Sequence, residues 1–192
     1  GTVTVSGDGI SSVVNVTQSG VPYITLSPSG LSFAESGGSQ TVTISTNTAS
    51  QSVTYSGCVS GAVQSGNTIT VTCSPNYSTS AKTGTVTVTG GGISAVINVS
   101  QAASAPYITL IPDTLNFPSS GGVRVLAFLT NVADPDVSFS GCVDYAMQVA
   151  AVIVVTCEAN NTISERTGRV TVSGEGVSSM VRVVQAAAEP YI

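Results

Sequence analysis

Three copies of one hairpin organise the chain: GTVTVSGDGISSVVNVTQ from Gly1 to Gln18, GTVTVTGGGISAVINVSQ from Gly84 to Gln101, and GRVTVSGEGVSSMVRVVQ from Gly168 to Gln185. Each copy alternates Val with Thr or Ser, passes through a Gly-rich turn and ends in Gln. Alternation of apolar and polar residues predicts strands with one buried face, and the glycines predict the turn that joins them. The three copies therefore predict a repeated β-hairpin.

The unit that repeats is longer than the hairpin. Cys58 and Cys142 are 84 positions apart, and so are Phe33 and Phe117. A repeat of this length holds a whole domain rather than one unit of a solenoid. Short alternating segments with turn signals about every 8–12 residues predict about seven strands in each repeat. We therefore expect an all-β protein built from tandem immunoglobulin-like antiparallel β-sandwiches.

Short Pro-containing links mark the predicted domain boundaries. The predicted domains are 1–20, the terminal hairpin of a preceding repeat; 21–104 and 105–188, two complete repeats; and 189–192, the start of a following repeat. Proline stiffens these links, which favours a rod over flexible beads. Tyr23, Tyr107 and Tyr191 stand next to the prolines, and we expect them to pack between neighbouring repeats.

The composition excludes several classes of function. The chain of 192 residues has a net charge of -5, with five Lys and Arg and no His. So few cations cannot make the basic surface that nucleic acid or an anionic membrane requires. No apolar run is long enough to span a bilayer. Without His there is no Ser-His or Cys-His catalytic pair, so we expect neither an enzyme nor a cofactor.

The four cysteines form two equally spaced pairs, Cys58 with Cys73 and Cys142 with Cys157. An even count at a repeated spacing predicts one disulfide per repeat and an oxidising compartment outside the cell. Such a bridge closes a loop of about 16 residues and stabilises the fold by roughly 3 kcal/mol. Reduced core cysteines are the alternative. Zinc is the weakest interpretation, because no further Cys or His completes a site.

Carboxylates offer one weak metal candidate. Asp134 and Asp136 flank a proline in a predicted loop of the second complete repeat. Calcium takes about six to eight oxygen ligands, and two carboxylates supply only part of such a shell. A solvated turn is therefore the favoured interpretation, with calcium as the alternative.

The two complete repeats differ on one predicted sheet face. In the first repeat the outward positions of two strands are polar: Thr41, Thr43, Ser45, Thr68 and Thr70. Their counterparts 84 positions later are apolar: Val125, Ala127, Leu129, Val152 and Val154. An apolar sheet face in water is typical of an interface. We expect this face to pack against another copy or a partner, and packing under a loop of the same chain is the alternative.

Spaced structural residues recur in both complete repeats. In the first they are Phe33, Gly37, Gly38, Asn76, Thr83, Gly84, Val86, Val99 and Gln101. In the second they are Phe117, Gly121, Gly122, Asn160, Thr167, Gly168, Val170, Val183 and Gln185. This pattern resembles BACON domains, which are immunoglobulin-like modules of secreted and surface proteins in Bacteroidetes and their phages. The resemblance covers both repeats and the hairpin of a third, and it implies an extracellular or cell-surface location.

The resemblance also suggests a function, because BACON domains are linked to carbohydrate binding through the glycan-degrading enzymes beside them. Many carry Trp in the central strands, whereas this chain has no Trp and places Tyr55 and Phe139 there. The leading hypothesis is therefore an extracellular structural tandem-repeat protein, a stalk, fibre or filament component that associates with further repeats or other copies of itself. The alternative is a cell-surface adhesion or carbohydrate-binding module for surface glycans, including one accessory to a glycan-degrading enzyme.

Overall fold

The computed structural model describes residues 1–190, and all regular secondary structure in that range is β-strand. The predicted all-β class is confirmed. Nothing in the described range forms a helix with the length and apolar character needed to cross a membrane. The chain divides into two compact units, one with Gly1–Phe33, Gly37–Ser74 and Thr83–Ser100, the other with Ala34–Ser36, Pro75–Lys82 and the residues from Gln101 onward.

The first hairpin and the first complete repeat supply ten strands. The hairpin strands are β1 (Thr2–Gly7) and β2 (Ile10–Asn15). The repeat contains β3 (Ile24–Ser27), β4 (Gly30–Phe33), β5 (Gly38–Thr46), β6 (Ser52–Gly57), β7 (Val59–Ser65), β8 (Thr68–Cys73), β9 (Lys82–Gly90) and β10 (Ile93–Gln101). One sheet has the order β3-β5-β8-β7, and the other has the order β4-β10-β9-β6.

The second complete repeat has the same topology. Its strands are β11 (Ile108–Ile111), β12 (Thr114–Phe117), β13 (Gly122–Thr130), β14 (Asp136–Gly141), β15 (Tyr145–Val149), β16 (Val152–Cys157), β17 (Arg166–Gly174) and β18 (Val177–Gln185). The sheet orders are β11-β13-β16-β15 and β12-β18-β17-β14. The same sequence pattern therefore produces the same pair of four-stranded sheets.

The structure corrects two details of the prediction. Each repeat has eight strands rather than about seven, because the extended segment around Pro28 is split between the two sheets. Proline has no N–H to donate, so the ladder ends there, and Pro112 separates β11 from β12 in the same way. The sheets are also not wholly antiparallel, since β12 pairs with β18 in parallel.

Both sheets of each repeat contribute to one hydrophobic core. The predicted inward positions are confirmed in the first repeat, where four of them are at most 2% exposed: Val42, Ile44, Ile69 and Val71. Their counterparts in the second repeat are at most 4% exposed: Leu126, Phe128, Ile153 and Val155. Alternation along the strands places these side chains on one face, so the core could be located from the sequence.

In each repeat the chain crosses from one sheet to the other at a cysteine. β6 ends at Gly57, and β7 begins in the other sheet directly after Cys58. The Cys58 N–H donates to the Thr83 carbonyl at 3.0 Å. A Cβ on Gly84 would lie 2.5 Å from the Ser56 carbonyl oxygen and 2.9 Å from the Cys58 nitrogen. The glycine that opens the repeated hairpin is therefore needed because no side chain fits against the crossing.

The first copy of the hairpin is exposed where the later copies are buried. Four of its apolar positions are 50–67% exposed: Val3, Val5, Val14 and Val16. Their counterparts in the next copy are at most 2% exposed: Val86, Val88, Ile97 and Val99. The strands that cover the later copies are those of a complete repeat. That residues 1–20 complete a preceding repeat stays a prediction, and this exposed face is what motivates it.

Replacing Gly84 with Ala should destabilise the protein by about 2 kcal/mol or more, because the new methyl group would overlap the backbone at the crossing. The measurement is urea denaturation of the full chain. Gly61→Ala is the matched control, since a Cβ there would meet nothing closer than 4.0 Å. Equal losses of stability in the two variants would contradict this explanation.

Adding a second copy of residues 21–83 ahead of Gly1 should complete a repeat around the first hairpin. In the chain as it stands, the amides of Val3 and Val5 should exchange with solvent far faster than those of Val86 and Val88, because an isolated two-stranded hairpin is marginal in water. In the extended chain the four amides should be protected alike. Fast exchange of Val3 and Val5 in the extended chain would refute the prediction.

Candidate functional site

The strand register of the second repeat assembles a continuous outer face on the β11-β13-β16-β15 sheet. Val125 of β13 pairs with Val154 of β16, which pairs with Met147 of β15. The flanking row joins Ala127 to Val152 by the same pairing. Directly opposed residues of antiparallel strands lie on the same side of the sheet. Leu129 follows Ala127 by two positions on β13, so it lies on the same side. The five predicted interface residues therefore share one face.

The register adds five apolar residues that the sequence prediction missed. They are Ile111, Val123, Tyr145, Met147 and Val149. Together with Val125, Ala127, Leu129, Val152 and Val154 they are called the apolar face below. The signal was available for four of them, whose counterparts 84 positions earlier are Ser27, Ser39, Gly61 and Ser65, whereas the counterpart of Met147 is the apolar Val63. Only the strand pairing shows that all ten lie together.

Much of the apolar face is open to solvent. Leu129 is 56% exposed and Val125 is 53% exposed, while Val152 and Val154 are half-buried among their neighbours. No segment of residues 1–190 covers Val125 or Leu129. Exposure of these two residues favours the interface over packing under a loop of the same chain, and the interface stays a prediction. Contiguous exposed apolar surface of this kind marks sites where proteins associate.

The equivalent face of the first repeat is built from hydroxyl groups. Its rows join Thr41 to Thr70 and Thr43 to Thr68 in the same register. Ser39 and Thr72 exchange a hydrogen bond across the strands at 2.9 Å. These side chains remain compatible with water, so the first repeat has no apolar face to cover. The two repeats therefore have the same strand pairing on this face but differ in its side chains, which are hydroxyl-bearing in the first and apolar in the second.

The cysteines meet in pairs where the chain crosses between sheets, but all four are free thiols in this structure. The predicted disulfides are therefore not formed in it. The Cys58 thiol is a neighbour of the Cys73 thiol, and Cys142 is likewise a neighbour of Cys157. The structure thus brings together the residues that the spacing paired and leaves each pair reduced.

Burial makes two of these thiols weak acids. The pKa of Cys73 is raised to about 11, mainly by burial and secondly by the adjacent Cys58. The pKa of Cys157 is raised to about 12, mainly by burial and secondly by the adjacent Cys142, whereas the positive charge of Arg166 lowers it. A thiolate is the nucleophilic form of cysteine, so Cys73 and Cys157 are unsuited to catalysis.

The tyrosines beside the domain links are anchored through their backbones. The Tyr23 N–H donates to Asn47 Oδ1 at 2.9 Å, and the Tyr107 N–H donates to Asn131 Oδ1 at 2.9 Å. Their side chains are 47% and 50% exposed. Packing of these rings between repeats stays a prediction, and Tyr191 lies outside the described residues.

The predicted carboxylate pair sits at the start of β14. Asp134 adopts a positive φ of 48° in the preceding turn, and Asp136 is the first residue of the strand. Within residues 1–190, no three or more His, Cys, Asp and Glu side chains group in a way that could hold a metal ion. Both carboxylates are exposed, and the calcium alternative stays a prediction.

Tyr55 and Phe139 lie on the edge strands β6 and β14 rather than on central strands, and both are only partly accessible. Tyr55 is 49% exposed and Phe139 is 41% exposed. Each pairs with a fully buried valine, Val86 or Val170. Both rings therefore stand at the edge of a sheet on the side of its core.

The buried polar residues of the recurring pattern hold loops in place. Asn160 Nδ2 donates to the Ser164 carbonyl at 2.8 Å and the Ala186 carbonyl at 2.9 Å. Asn76 makes the equivalent bonds to Ser80 and Ala102, both at 2.9 Å. Both asparagines are 1% exposed. A buried amide must be hydrogen-bonded to be tolerated, so this position of the pattern is structural.

A family model described as "BACON: Putative binding domain, N-terminal" matches residues 143–186. The resemblance to BACON domains is confirmed. The matched segment contains the buried Asn160 and Gln185, together with four buried core valines of β17 and β18. The match thus rests on residues that build the fold. No curated protein sequence matches the chain.

Solved structures with immunoglobulin-like domains are similar to this chain. Titin A168169 is 9% identical, with a TM-score of 0.51, and the alignment covers 88% of this chain and 99% of that one. The titin domains Z1Z2 in complex with telethonin are 12% identical, with a TM-score of 0.49 over 90% and 98% of the two chains. A protein from Bacteroides thetaiotaomicron is 15% identical, with a TM-score of 0.36 over 47% and 96%. At such identities the likeness concerns the fold alone.

The reduced protein should lose stability in alkali. Because the folded state raises the pKa of Cys73 and Cys157 above the ordinary 9.0, the thiols contribute stability that is complete below pH 9 and lost as pH rises toward 11 to 12. The measurement is the free energy of unfolding in urea between pH 7 and pH 11 with a reductant present.

A Cys73→Ala, Cys157→Ala variant is the control, because it lacks the two thiols whose pKa is raised by burial. Its stability should fall less steeply above pH 9 than that of the reduced protein. If the two curves run parallel, the buried thiols do not account for the pH dependence.

Proposed function

We propose that the chain is part of an extracellular structural tandem-repeat protein, a stalk, fibre or filament component, whose second repeat associates laterally with another copy of the chain. Each repeat acts as an immunoglobulin-like sandwich, and in an oxidising compartment the adjacent thiols of each pair form one disulfide. The observation that carries the proposal is the apolar face of the second repeat, set against the hydroxyl face of the first. Immunoglobulin-like and BACON-type domains are generally binding modules without catalytic activity, which agrees with a mechanical role.

A second copy of the chain is the occupant that the surface chemistry favours. All ten residues of the apolar face are uncharged, so two copies can meet without burying an unpaired charge. Aromatic residues and Met are enriched in interfaces, and Tyr145 and Met147 are on this face. Burial of their partly exposed side chains removes apolar surface from water and drives association.

The disulfides are proposed on the proximity of the thiols. Cys58 and Cys142 each occupy the crossing between sheets, and Cys73 and Cys157 end the neighbouring strands β8 and β16. A bridge would tie the crossing to the sheet beside it and lower the entropy of the unfolded chain. Such a brace suits a domain with a modest core that works outside the cell.

Exchanging the exposed apolar residues for those of the first repeat should abolish association. The variant carries Val125→Thr, Leu129→Ser, Val152→Thr and Val154→Thr, the residues found 84 positions earlier. It should fold, because the first repeat folds with these side chains. Association should weaken by about tenfold or more, since an apolar group removed from an interface is worth roughly 0.8 kcal/mol per methylene. Sedimentation velocity over a concentration series makes the measurement.

The matched control changes the other sheet of the same repeat. Arg169→Thr with Arg182→Asn also introduces first-repeat residues, but it leaves the apolar face intact and should preserve association. A wild-type chain that stays monomeric at every concentration would refute the proposal. So would a four-residue variant that associates as strongly as the wild type.

A second candidate function is a cell-surface adhesion or carbohydrate-binding module, including one accessory to a glycan-degrading enzyme. The match to a family described as a binding domain favours it. Its binding surface would lie on the exposed outer faces of the sheets rather than in a deep pocket. A glycan array probed with the monomeric four-residue variant separates the two functions, because saturable binding there does not depend on self-association.

A further inference from the structure

Two arginines of the second repeat lie directly opposite each other on an exposed sheet face. Arg169 of β17 and Arg182 of β18 are register partners, and both side chains are exposed. Their neighbours along the strands, Val170, Val181 and Val183, are fully buried, so alternation directs both guanidinium groups to the outer face. Like charges directly opposite each other across two strands destabilise a sheet. The fold itself therefore gives no reason for this pair.

In the described range 1–190, no hydrogen bond or ion pair joins the side chain of Arg169 or Arg182 to another residue. Asp113, which precedes the neighbouring strand β12, is bonded to Arg182 through the backbone, where the Arg182 N–H donates to its carbonyl at 3.1 Å. Both side chains keep their donors available to a ligand.

The other two arginines of the chain differ from this pair, because their side chains contact other residues of the fold. Arg124 Nε donates to the Asn116 carbonyl at 3.2 Å, and its guanidinium lies 5.4 Å from the centre of a buried aromatic ring. Arg166 Nη2 donates to Gln185 Oε1 at 2.8 Å. Both of these arginines are thereby part of the fold. Arg169 and Arg182 form a separate class, placed on the surface and left without protein acceptors in residues 1–190.

A shallow depression adjoins the pair. Its volume is about 500 Å³, and it is lined by Ser138, Phe139, Ser140, Arg169 and Thr171. Ser140 is the register partner of Arg169, and Ser138 is the partner of Thr171, so the three hydroxyl groups flank the guanidinium on the same outer face. Hydroxyl groups both donate and accept hydrogen bonds, which suits the hydroxyl groups of a sugar.

The first repeat has equivalent hydroxyl groups without the charge. The counterparts of Ser138, Ser140 and Thr171 are Thr54, Ser56 and Thr87, and those of Arg169 and Arg182 are Thr85 and Asn98. The hydroxyl oxygens of Ser56 and Thr85 are hydrogen-bonded at 3.0 Å. The hydroxyl groups are therefore common to both repeats, and the charge is specific to the second.

We propose that Arg169 and Arg182 bind a carboxylate group of an acidic glycan whose hydroxyls contact Ser138, Ser140 and Thr171. A planar guanidinium matches a planar carboxylate through two parallel hydrogen bonds. The net charge of -5 repels a densely charged polyphosphate such as nucleic acid, so a sparsely charged glycan is the better partner. The inference rests on the second proposed function and names the ligand class and the residues.

The test uses a hexasaccharide of hyaluronan, which carries one carboxylate in every second sugar, and the same hexasaccharide with its carboxyl groups reduced to alcohols. Binding to the full chain is followed by titration calorimetry and by NMR shifts. The wild type should bind the acidic form more tightly than the reduced form. Arg169→Thr with Arg182→Asn should weaken binding of the acidic form by about tenfold, as expected when charge-assisted hydrogen bonds are lost.

Two further variants make the result specific to the site. Thr85→Arg with Asn98→Arg installs the pair in the first repeat and should raise the stoichiometry from one ligand to two. Lys82→Gln removes a cation elsewhere and should leave affinity unchanged. Three results would overturn the proposal. The wild type could bind the reduced hexasaccharide as tightly as the acidic one, or bind neither. The Arg169→Thr, Arg182→Asn variant could bind the acidic hexasaccharide as tightly as the wild type does. If the Arg169→Thr, Arg182→Asn variant binds both hexasaccharides as tightly as the wild type binds the acidic one, the arginine site is refuted while glycan binding by the repeats stands.

Discussion

The crossing of the chain between its two sheets is the constraint on which each repeat depends. At Cys58 and Cys142 the backbone leaves one sheet and enters the other, and a glycine of the facing strand lies directly against it. Gly168 repeats the geometry of Gly84, with a Cβ position 2.5 Å from the Ser140 carbonyl oxygen. Because no side chain fits there, the position of the crossing, the strand pairing beside it and the meeting of the cysteines are determined together.

The two repeats use one backbone for different surface chemistry. Their inward residues are apolar in both, since a buried position tolerates little else. Outward residues are under no such constraint, and the same sheet face carries hydroxyl groups in the first repeat and apolar groups in the second. On the opposite sheet, Thr85 and Asn98 give way to Arg169 and Arg182. Specialisation in this chain therefore lies in outward-facing strand residues rather than in its loops.

The residues by which the chain resembles BACON domains explain the fold more than the function. Asn160 and Gln185 are buried, and their amides bond to backbone carbonyls and to Arg166. Gly37 and Gly121 have positive φ angles of 72° and 73° and lie against the carbonyls of Cys73 and Cys157. Residues of this kind preserve the domain while the outer faces are free to vary. A match that rests on them identifies the architecture and leaves the ligand to be found on the surface.

The sequence alone determined the features that depend on local periodicity. Alternation of Val with Thr or Ser placed Val42, Ile44, Ile69 and Val71 in the core, and the 84-residue period located the five predicted interface residues. Both follow from the period of two along a strand, which needs no knowledge of neighbours.

Only the tertiary structure decided which strands lie side by side, because pairing joins residues far apart in sequence. It divided the segment at Pro28 between two sheets, extended the apolar face to Tyr145 and Met147, and set Arg169 opposite Arg182. It also showed Asn160 to be a buried anchor, since the carbonyl at Ala186 that accepts its hydrogen bond is 26 residues away. A surface assembled from several strands is a property of register, and register is settled by the packing of the whole domain.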